Sequence, residues 1–362
     1  MLIAGGAAGA SLVLAAAPSS RALGQSRAPA GRPLKIGFVH VGSVDDVGWT
    51  HQHDLGRKAL ERELGDAIET VYAEHVPEGQ DAERVIREML AQGRRLIFST
   101  AYGFMDPTVR IAREFPDCVF ENATGFKISD NVAVYNARFY EGRYLAGLIA
   151  ANASDSGVIG YVAAVPIPEV LQGINAFTIA ARTVNPKLEV RVIWVNSWYD
   201  PARERDAAFS LISQGADLLT HHTDTIAVAE VAEQKGRLLI GYHSDLSRVA
   251  PSVHLASVTH HWGRYYIDRT RAVLDGTWTT GQVWGGIADD FVRIESVSPK
   301  LPAPVRRQVR TVTSEIADGK LQPFSGLIRS NDGKVRQESG AMSDELLQKM
   351  DWLAEGVIGR VR

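Results

Sequence analysis

The sequence predicts an α/β protein built as two similar, doubly wound lobes with a cleft between them. Three observations carry this expectation. Short apolar runs alternate with amphipathic stretches along the chain, the pattern of a parallel sheet covered by helices on both faces. The pattern occurs twice at a near-constant offset. Ile36-Gly37-Phe38-Val39 returns as Ile159-Gly160-Tyr161-Val162, 123 positions on, and Gln92-Gly93 returns as Gln214-Gly215, 122 on. Val71-Tyr72-Ala73 with Ile193-Trp194-Val195, and Gly142-Arg143-Tyr144 with Gly263-Arg264-Tyr265, keep nearly the same register. Finally, 362 residues are enough for two domains of ordinary size, and two facing lobes make a cleft.

In chain order, residues 35–41 read as a buried strand, and a loop with Asp45, Asp46 and Trp49 follows. Leu55, Ala59, Leu60 and Leu64 recur at helical spacing and place a helix over 53–64. A strand at 70–74, an amphipathic helix at 81–92 closed by Gly93, a strand at 96–100, a helix at 107–115 and a strand at 119–122 follow. The second half reads strand 157–163, helix 170–182, strand 189–196, helix 202–214, strand 218–222, helix 227–235 and strand 238–242. Matched short strands at 134–137 and 256–259 mark two passages between the lobes, and 283–290 marks a third. The tail adds a helix at 304–317 and a hairpin through Asn331-Asp332-Gly333. The expected lobes are 34–136 with 257–285, and 137–256 with 286–362, the latter carrying a C-terminal extension.

Residues 1–24 hold one charged residue, Arg21, and an apolar stretch broken at Pro18-Ser19-Ser20, with Ala22-Leu23-Gly24 as a small-x-small cleavage site. This reads as a secretory signal peptide, too short to span a membrane, with a flexible leader over 25–33. The expected location is the periplasm. Cys118 is the sole cysteine, so no internal disulfide forms, and with none at the cleavage site no lipid anchor is expected. Its apolar surroundings suit core packing. Net charge is -3, with 45% hydrophobic and 22% charged residues, a globular composition that gives no reason to expect nucleic acid. A monomer is expected.

Ligands of open parallel sheets sit beyond the carboxyl ends of the strands. That rule selects Gly42 to Thr50, Ala101 to Asp106, Glu121-Asn122, Pro166 to Glu169, Ser197 to Asp200, Thr223-Asp224 and His243-Ser244-Asp245. These segments are rich in aromatics and acids and contain no lysine. Trp49 and Trp198, one from each half, suit a clamp on both faces of a flat ring, or packing between lobes. Trp194, inside a strand, suits the core. Asp46, Glu121, Asp224 and Asp245 suit acceptors for ring N–H or amino groups, with Tyr102 beside them. A phosphate would call instead for Gly-rich backbone donors and cations. Within the pairs His221-His222 and His260-His261, neighbours on a strand point to opposite faces, so each pair offers one inward ring. No metal site is expected. A nucleophile elbow, a P-loop and a dinucleotide fingerprint are all missing from the sequence, so neither catalysis nor a cofactor is expected.

Lys35-Ile36-Gly37-Phe38-Val39, Asp46-Val47-Gly48-Trp49-Thr50, Gly142-Arg143-Tyr144-Leu145-Ala146-Gly147, Gln214-Gly215-Ala216-Asp217 and Ile240-Gly241-Tyr242-His243-Ser244-Asp245 stand in the order of a known family. The set resembles the basic membrane protein (BMP) family, substrate-binding proteins of ABC importers, over about residues 34–324. The resemblance implies the type I periplasmic-binding fold, a purine or nucleoside ligand and a permease partner in the inner membrane. It also implies that Trp49 stacks on the base and that Trp198, two positions before Asp200, is the second stacking ring. Two departures bear on ribose. His243 stands where many members have an acid, and His260-His261 lie near the place of a frequent lysine. The expected ligand is therefore a free purine base such as adenine. The alternatives are a nucleoside or another flat heterocycle such as riboflavin, and a secreted nucleoside hydrolase, which would need a metal-holding acid cluster.

Overall fold

The computed structural model describes residues 32–361. The expected signal peptide and most of the expected leader lie outside them. The first lobe runs β1 (Leu34–Val39), α1 (Trp49–Leu64), β2 (Ile68–Ala73), α2 (Gln80–Ala91), β3 (Leu96–Ser99), α3 (Met105–Glu114), β4 (Val119–Ala123) and β5 (Val132–Ala137). The chain then passes through α4 (Phe139–Ala153) into β6 (Val158–Ala163), α5 (Pro168–Val184), β7 (Glu189–Trp194), α6 (Pro201–Ser213), β8 (Leu218–His222), α7 (Ala227–Lys235), β9 (Leu238–His243) and β10 (His254–His260). It returns through α8 (Gly263–Asp275) and β11 (Gln282–Gly285), crosses again to β12 (Val292–Glu295), and ends with α9 (Ala303–Ala317), β13 (Ile328–Arg329), β14 (Val335–Gln337), α10 (Asp344–Gln348) and β15 (Val357–Ile358).

The two sheets repeat one order. The first is β2-β1-β3-β4-β5-β11, and the second is β7-β6-β8-β9-β10-β12 with β15 added beside β7. Except for the antiparallel β10–β12 pair, every pairing in these sheets is parallel. The duplicated sequence is thus a duplicated sheet. Its helices are exchanged. α4 follows the first sheet but packs on α5 of the second lobe, while α8 follows the second sheet and packs on α1 of the first. Gly147 permits the first of these contacts, since a Cβ there would lie 2.1 Å from the Phe177 carbonyl oxygen.

β10, which the expected division cut at residue 257, pairs with β9 from His254 to Thr259 and belongs to the second sheet. The chain leaves that sheet after His260, which pairs with Val292 of the antiparallel β12. Helix α1 begins at Trp49 rather than near 53, which places the indole in the first turn, at the lobe edge. The tail packs back on α5. Buried Asn175 donates to Trp352 O (2.8 Å) and accepts from Ala354 N (2.7 Å). Cys118 is buried, and burial pushes its thiol pKa up. Among the described residues no helix is long and apolar enough to cross a membrane.

Candidate functional site

The lobes meet beyond the C-terminal ends of their strands, the place where ligands of such sheets bind. Polar and backbone contacts help to hold them together. The backbone of Gly48 lies against Asp224, so close that a Cβ on Gly48 would be 2.5 Å from the Asp224 carbonyl oxygen. Gln52 Nε2 donates to Ser244 Oγ (2.6 Å), and Asn136 Nδ2 donates to Glu169 Oε2 (3.1 Å).

Trp49 stands at the centre of this junction. Its indole N–H donates to Thr100 O (2.6 Å). Around it lie His53, Trp262, His260, Phe139 and His243 at centroid distances of 4.4, 5.6, 5.9, 6.1 and 6.3 Å, all edge-on. His53 stacks flat on Trp262 (4.6 Å, 8°). The opposite wall is made by strand ends of the second lobe. Tyr242 lies 4.4 Å from His222, 4.2 Å from His243 and 5.0 Å from His260, and His243 lies 5.0 Å from His260. His243 closes β9 in a left-handed conformation, φ 67°, uncommon for a residue with a Cβ and typical of functional sites.

The imidazoles of His53, His222 and His260 are fully buried or nearly so. Burial, followed by neighbouring positive groups, holds their pKa values well below the usual histidine range. Each is therefore neutral and offers one N–H and one lone pair. His53 Nε2, His222 Nδ1, both ring nitrogens of His260 and the indole nitrogen of Trp262 have no hydrogen-bond partner among the described residues. His243 Nε2 sits 3.0 Å from Asp224 Oδ1. Glu169 enters from the first turn of α5, and burial pushes its carboxyl pKa up to about 7 against the pull of the Asn136 hydrogen bond. At the rim, Asp45, Asp46, Tyr199, Asp224 and Glu230 line a cavity of about 320 Å³. Burial also raises the pKa of Asp46.

The expected site residues fall into two groups. Asp46, Trp49, Trp198 and Asp224 gather at the junction. Trp198 is 37% exposed, 6.2 Å from the His222 ring, and its carbonyl accepts from Asp224 N (2.9 Å). The other three stand apart. Glu121 is buried inside the first lobe and accepts from Tyr265 Oη (2.7 Å), Arg269 Nε (2.5 Å) and Trp278 Nε1 (2.7 Å). Asp245 accepts from Ser247 N (2.9 Å) and Ser296 Oγ (2.5 Å) at the surface. Tyr102 is half exposed beside Phe126. Asp200 serves as the N-cap of α6, accepting from Arg203 N (3.0 Å). Conversely, Trp262, Asn136 and Glu169 join the site without having been singled out. The signal for Glu169 lay in its loop, which the strand-end rule selects. His53 stands out in the sequence only as a candidate metal ligand beside His51, and Trp262 carried no signal, because the helix exchange that unites them is a tertiary event. His222 and His260 are the inward rings of their pairs, while His221 Nδ1 turns to Thr223 O (3.1 Å) and His261 to Thr259 Oγ1 (3.0 Å).

Two like lobes, passages of the chain between them and a ring-lined junction define a two-lobed solute-binding protein of the type I periplasmic-binding fold. The solved structure of an ABC transporter solute-binding protein from Aeropyrum pernix K1 shares it, with a TM-score of 0.69, 18% identity and coverage of 87% of this chain and 95% of that one. The chain belongs to the Bmp family of ABC transporter substrate-binding proteins, PnrA-like, which matches residues 34–321. It is 47% identical to a purine-binding protein of Brucella abortus (strain 2308), over 90% of this chain and 93% of that one. It is 34% identical to a candidate ABC transporter glucose-binding protein of Haloferax volcanii, over 91% of this chain and 82% of that one.

Proposed function

We propose that this protein is the periplasmic receptor of an ABC importer and that it holds a purine, a free base such as adenine, between its lobes. The observation that carries the reading is the meeting of Trp49, His53 and Trp262 with His222, His243 and His260, where the ring nitrogens His53 Nε2, His260 Nδ1 and His260 Nε2 and the indole nitrogen of Trp262 have no partner among the described residues. Aromatic walls exclude water and bind a flat ring by its faces, each aromatic pair contributing about 1 kcal/mol beyond area burial. The neutral imidazoles of His53 and His260, each both donor and acceptor, match the alternating edge of a purine. Asn136 and Glu169 extend that edge, and Glu169 donates as well as accepts when its carboxyl is protonated. The 47% identical relative named for purine binding supports the same ligand class. His243 in the place of a family acid favours a base over a nucleoside. With ligand bound, the closed lobes present one continuous surface to a membrane permease.

Calorimetric titration of the refolded, ligand-stripped mature chain tests this. Adenine, guanine, hypoxanthine, adenosine, riboflavin and glucose are the probes. Tight binding of a free base, with adenosine much weaker, is expected. Tight adenosine binding would restore the nucleoside role, and glucose binding alone would replace the purine reading. Release of ribose from adenosine would make the protein a hydrolase.

A further inference from the structure

Behind the histidine wall, inside the second lobe, a buried positive charge stands without a negative partner among the described residues. Arg143 of α4 is fully buried. Its Nη1 donates to Thr220 Oγ1 (3.1 Å) and its Nη2 to His221 O (2.5 Å). Both acceptors are neutral. Tyr242 covers one face of the guanidinium, its ring centroid 3.5 Å from Cζ, and Tyr161 lies at 5.3 Å. A guanidinium does not give up its proton in a protein, and an uncompensated buried ion is strongly destabilising.

Arg143 Nε has no hydrogen-bond partner among the described residues, and neither has Tyr161 Oη or His222 Nδ1. The side chains meet beside Gly173 of α5. A Cβ on Gly173 would lie 3.5 Å from Tyr161 Oη, 3.7 Å from His222 Nδ1 and 3.5 Å from Cγ in the stem of Arg143. All three residues are at most 1% exposed. His222 Nε2 is 3.8 Å from Glu169 Oε1, beyond hydrogen-bond reach, so the ring is free to carry its proton on Nδ1. The cluster then holds an N–H⁺, a phenolic O–H and an imidazole N–H, each buried and without a partner among the described residues. Such a set favours a small acceptor that carries negative charge. Water matches it in size but leaves the guanidinium charge unbalanced.

We propose that Arg143, Tyr161 and His222, grouped around Gly173, form a buried binding site for a small monovalent anion, chloride first, within the second lobe behind the cleft. The bound anion offsets the Arg143 charge beside the His222 wall and couples halide concentration to the stability of this lobe.

Thermal unfolding of the mature chain without purine, in sodium chloride, bromide or gluconate at one ionic strength, tests the site. Replacing gluconate by chloride or bromide should raise the unfolding temperature saturably, as a ligand bound only to the folded state does. Crystals grown in bromide should show an anomalous scatterer within about 3.5 Å of Arg143 Nε, at hydrogen-bond range for a large anion. Gly173→Ala fills the cradle at ordinary contact distances and improves helix propensity. It should fold in gluconate at least as well as the parent and lose the halide response. Arg143→Gln should lose it too. If that variant folds poorly, Tyr161→Phe, which removes one donor and keeps the ring, should at least halve the response. Equal unfolding temperatures in all three salts, or bromide absent from Arg143 in the crystal, overturns the site. A purine found bonded directly to Arg143 also overturns it, by making these residues part of the cleft.

Discussion

Trp49 is held at one edge by the bond from its indole N–H to Thr100 O and surrounded edge-on by five rings. Removing it takes away ring area at the proposed ligand face and leaves a large hole. Trp49→Ala should weaken adenine binding at least 100-fold, about 3 kcal/mol, with a lower unfolding temperature. Trp49→Phe keeps a ring and loses the Thr100 bond, and should cost about 1 kcal/mol of stability. Titration and thermal unfolding on the same samples separate the two effects, and unchanged binding in both variants would rule out stacking. Glu169 offers a pH test. Its carboxyl pKa is pushed up to about 7 in the folded protein, above the unfolded value, so the native state holds the extra proton between about pH 4.5 and 7. Stability from this group is therefore lost as pH rises through that window, by up to about 3 kcal/mol. Glu169→Gln cannot ionise. Relative to the parent it should gain stability from pH 5 to pH 8 in denaturant melts, and a parallel pH dependence of the two proteins would contradict the raised pKa.

At the scale of elements, the contact between the start of α1 and the segment after β8 sets how far the lobes close. Gly48 has an ordinary extended backbone, φ -92°, so its lack of a side chain serves the approach to Asp224 rather than a turn. Gly48→Ala drives a methyl into the Asp224 carbonyl without straining either lobe. The variant should remain folded, bind purine at least 10-fold more weakly, and show a larger radius of gyration with ligand in solution scattering. A parent-like radius and affinity would show that closure does not need this contact. The exchange of α4 and α8 has the same logic. α8 delivers Tyr265 and Arg269 to Glu121 in the first lobe, so an acid that reads as a ligand group becomes an anchor for a returning helix.

At the scale of the whole molecule, acid stability follows from histidines kept neutral. His40, just past the end of β1, has its pKa lowered to about 4, mainly by burial. Its Nδ1 meets Thr100 Oγ1 at 2.9 Å, and that hydroxyl donates to Val39 O; the proton therefore sits on Nδ1. A pKa lowered on folding gives stability that is present above pH 6.5 and lost as pH falls through 6.5 towards 4. His221, with its pKa lowered to about 3, acts in the same direction from the second lobe. Denaturant melts of the parent should therefore show an acid limb between pH 6.5 and 4. His40→Asn keeps a donor for Thr100 and should flatten that limb by up to about 3 kcal/mol; an unchanged limb would assign it to the other histidines.

Local patterns determined much of this protein. Apolar runs of strand length, helical spacing and a repeat near 122 residues lead to two like sheets, because alternation and periodicity are short-range properties that the backbone must satisfy wherever it goes. Strand-end loops likewise pointed to Trp49, Trp198, Asp46 and Asp224. The tertiary structure alone decided which of the acids face the cleft. Glu121 and Asp245 sit in the same kind of loop as Asp224, yet Arg269 and Ser296 reach the first two from distant parts of the chain. The histidine wall was decided there too. His53, His243 and His260 are spread over more than 200 residues, and only the exchange of helices between lobes and the closure of Gly48 on Asp224 place them around one indole, with His222 behind His243. A burial that holds an imidazole neutral depends on everything packed around it, and no local pattern in the chain records that.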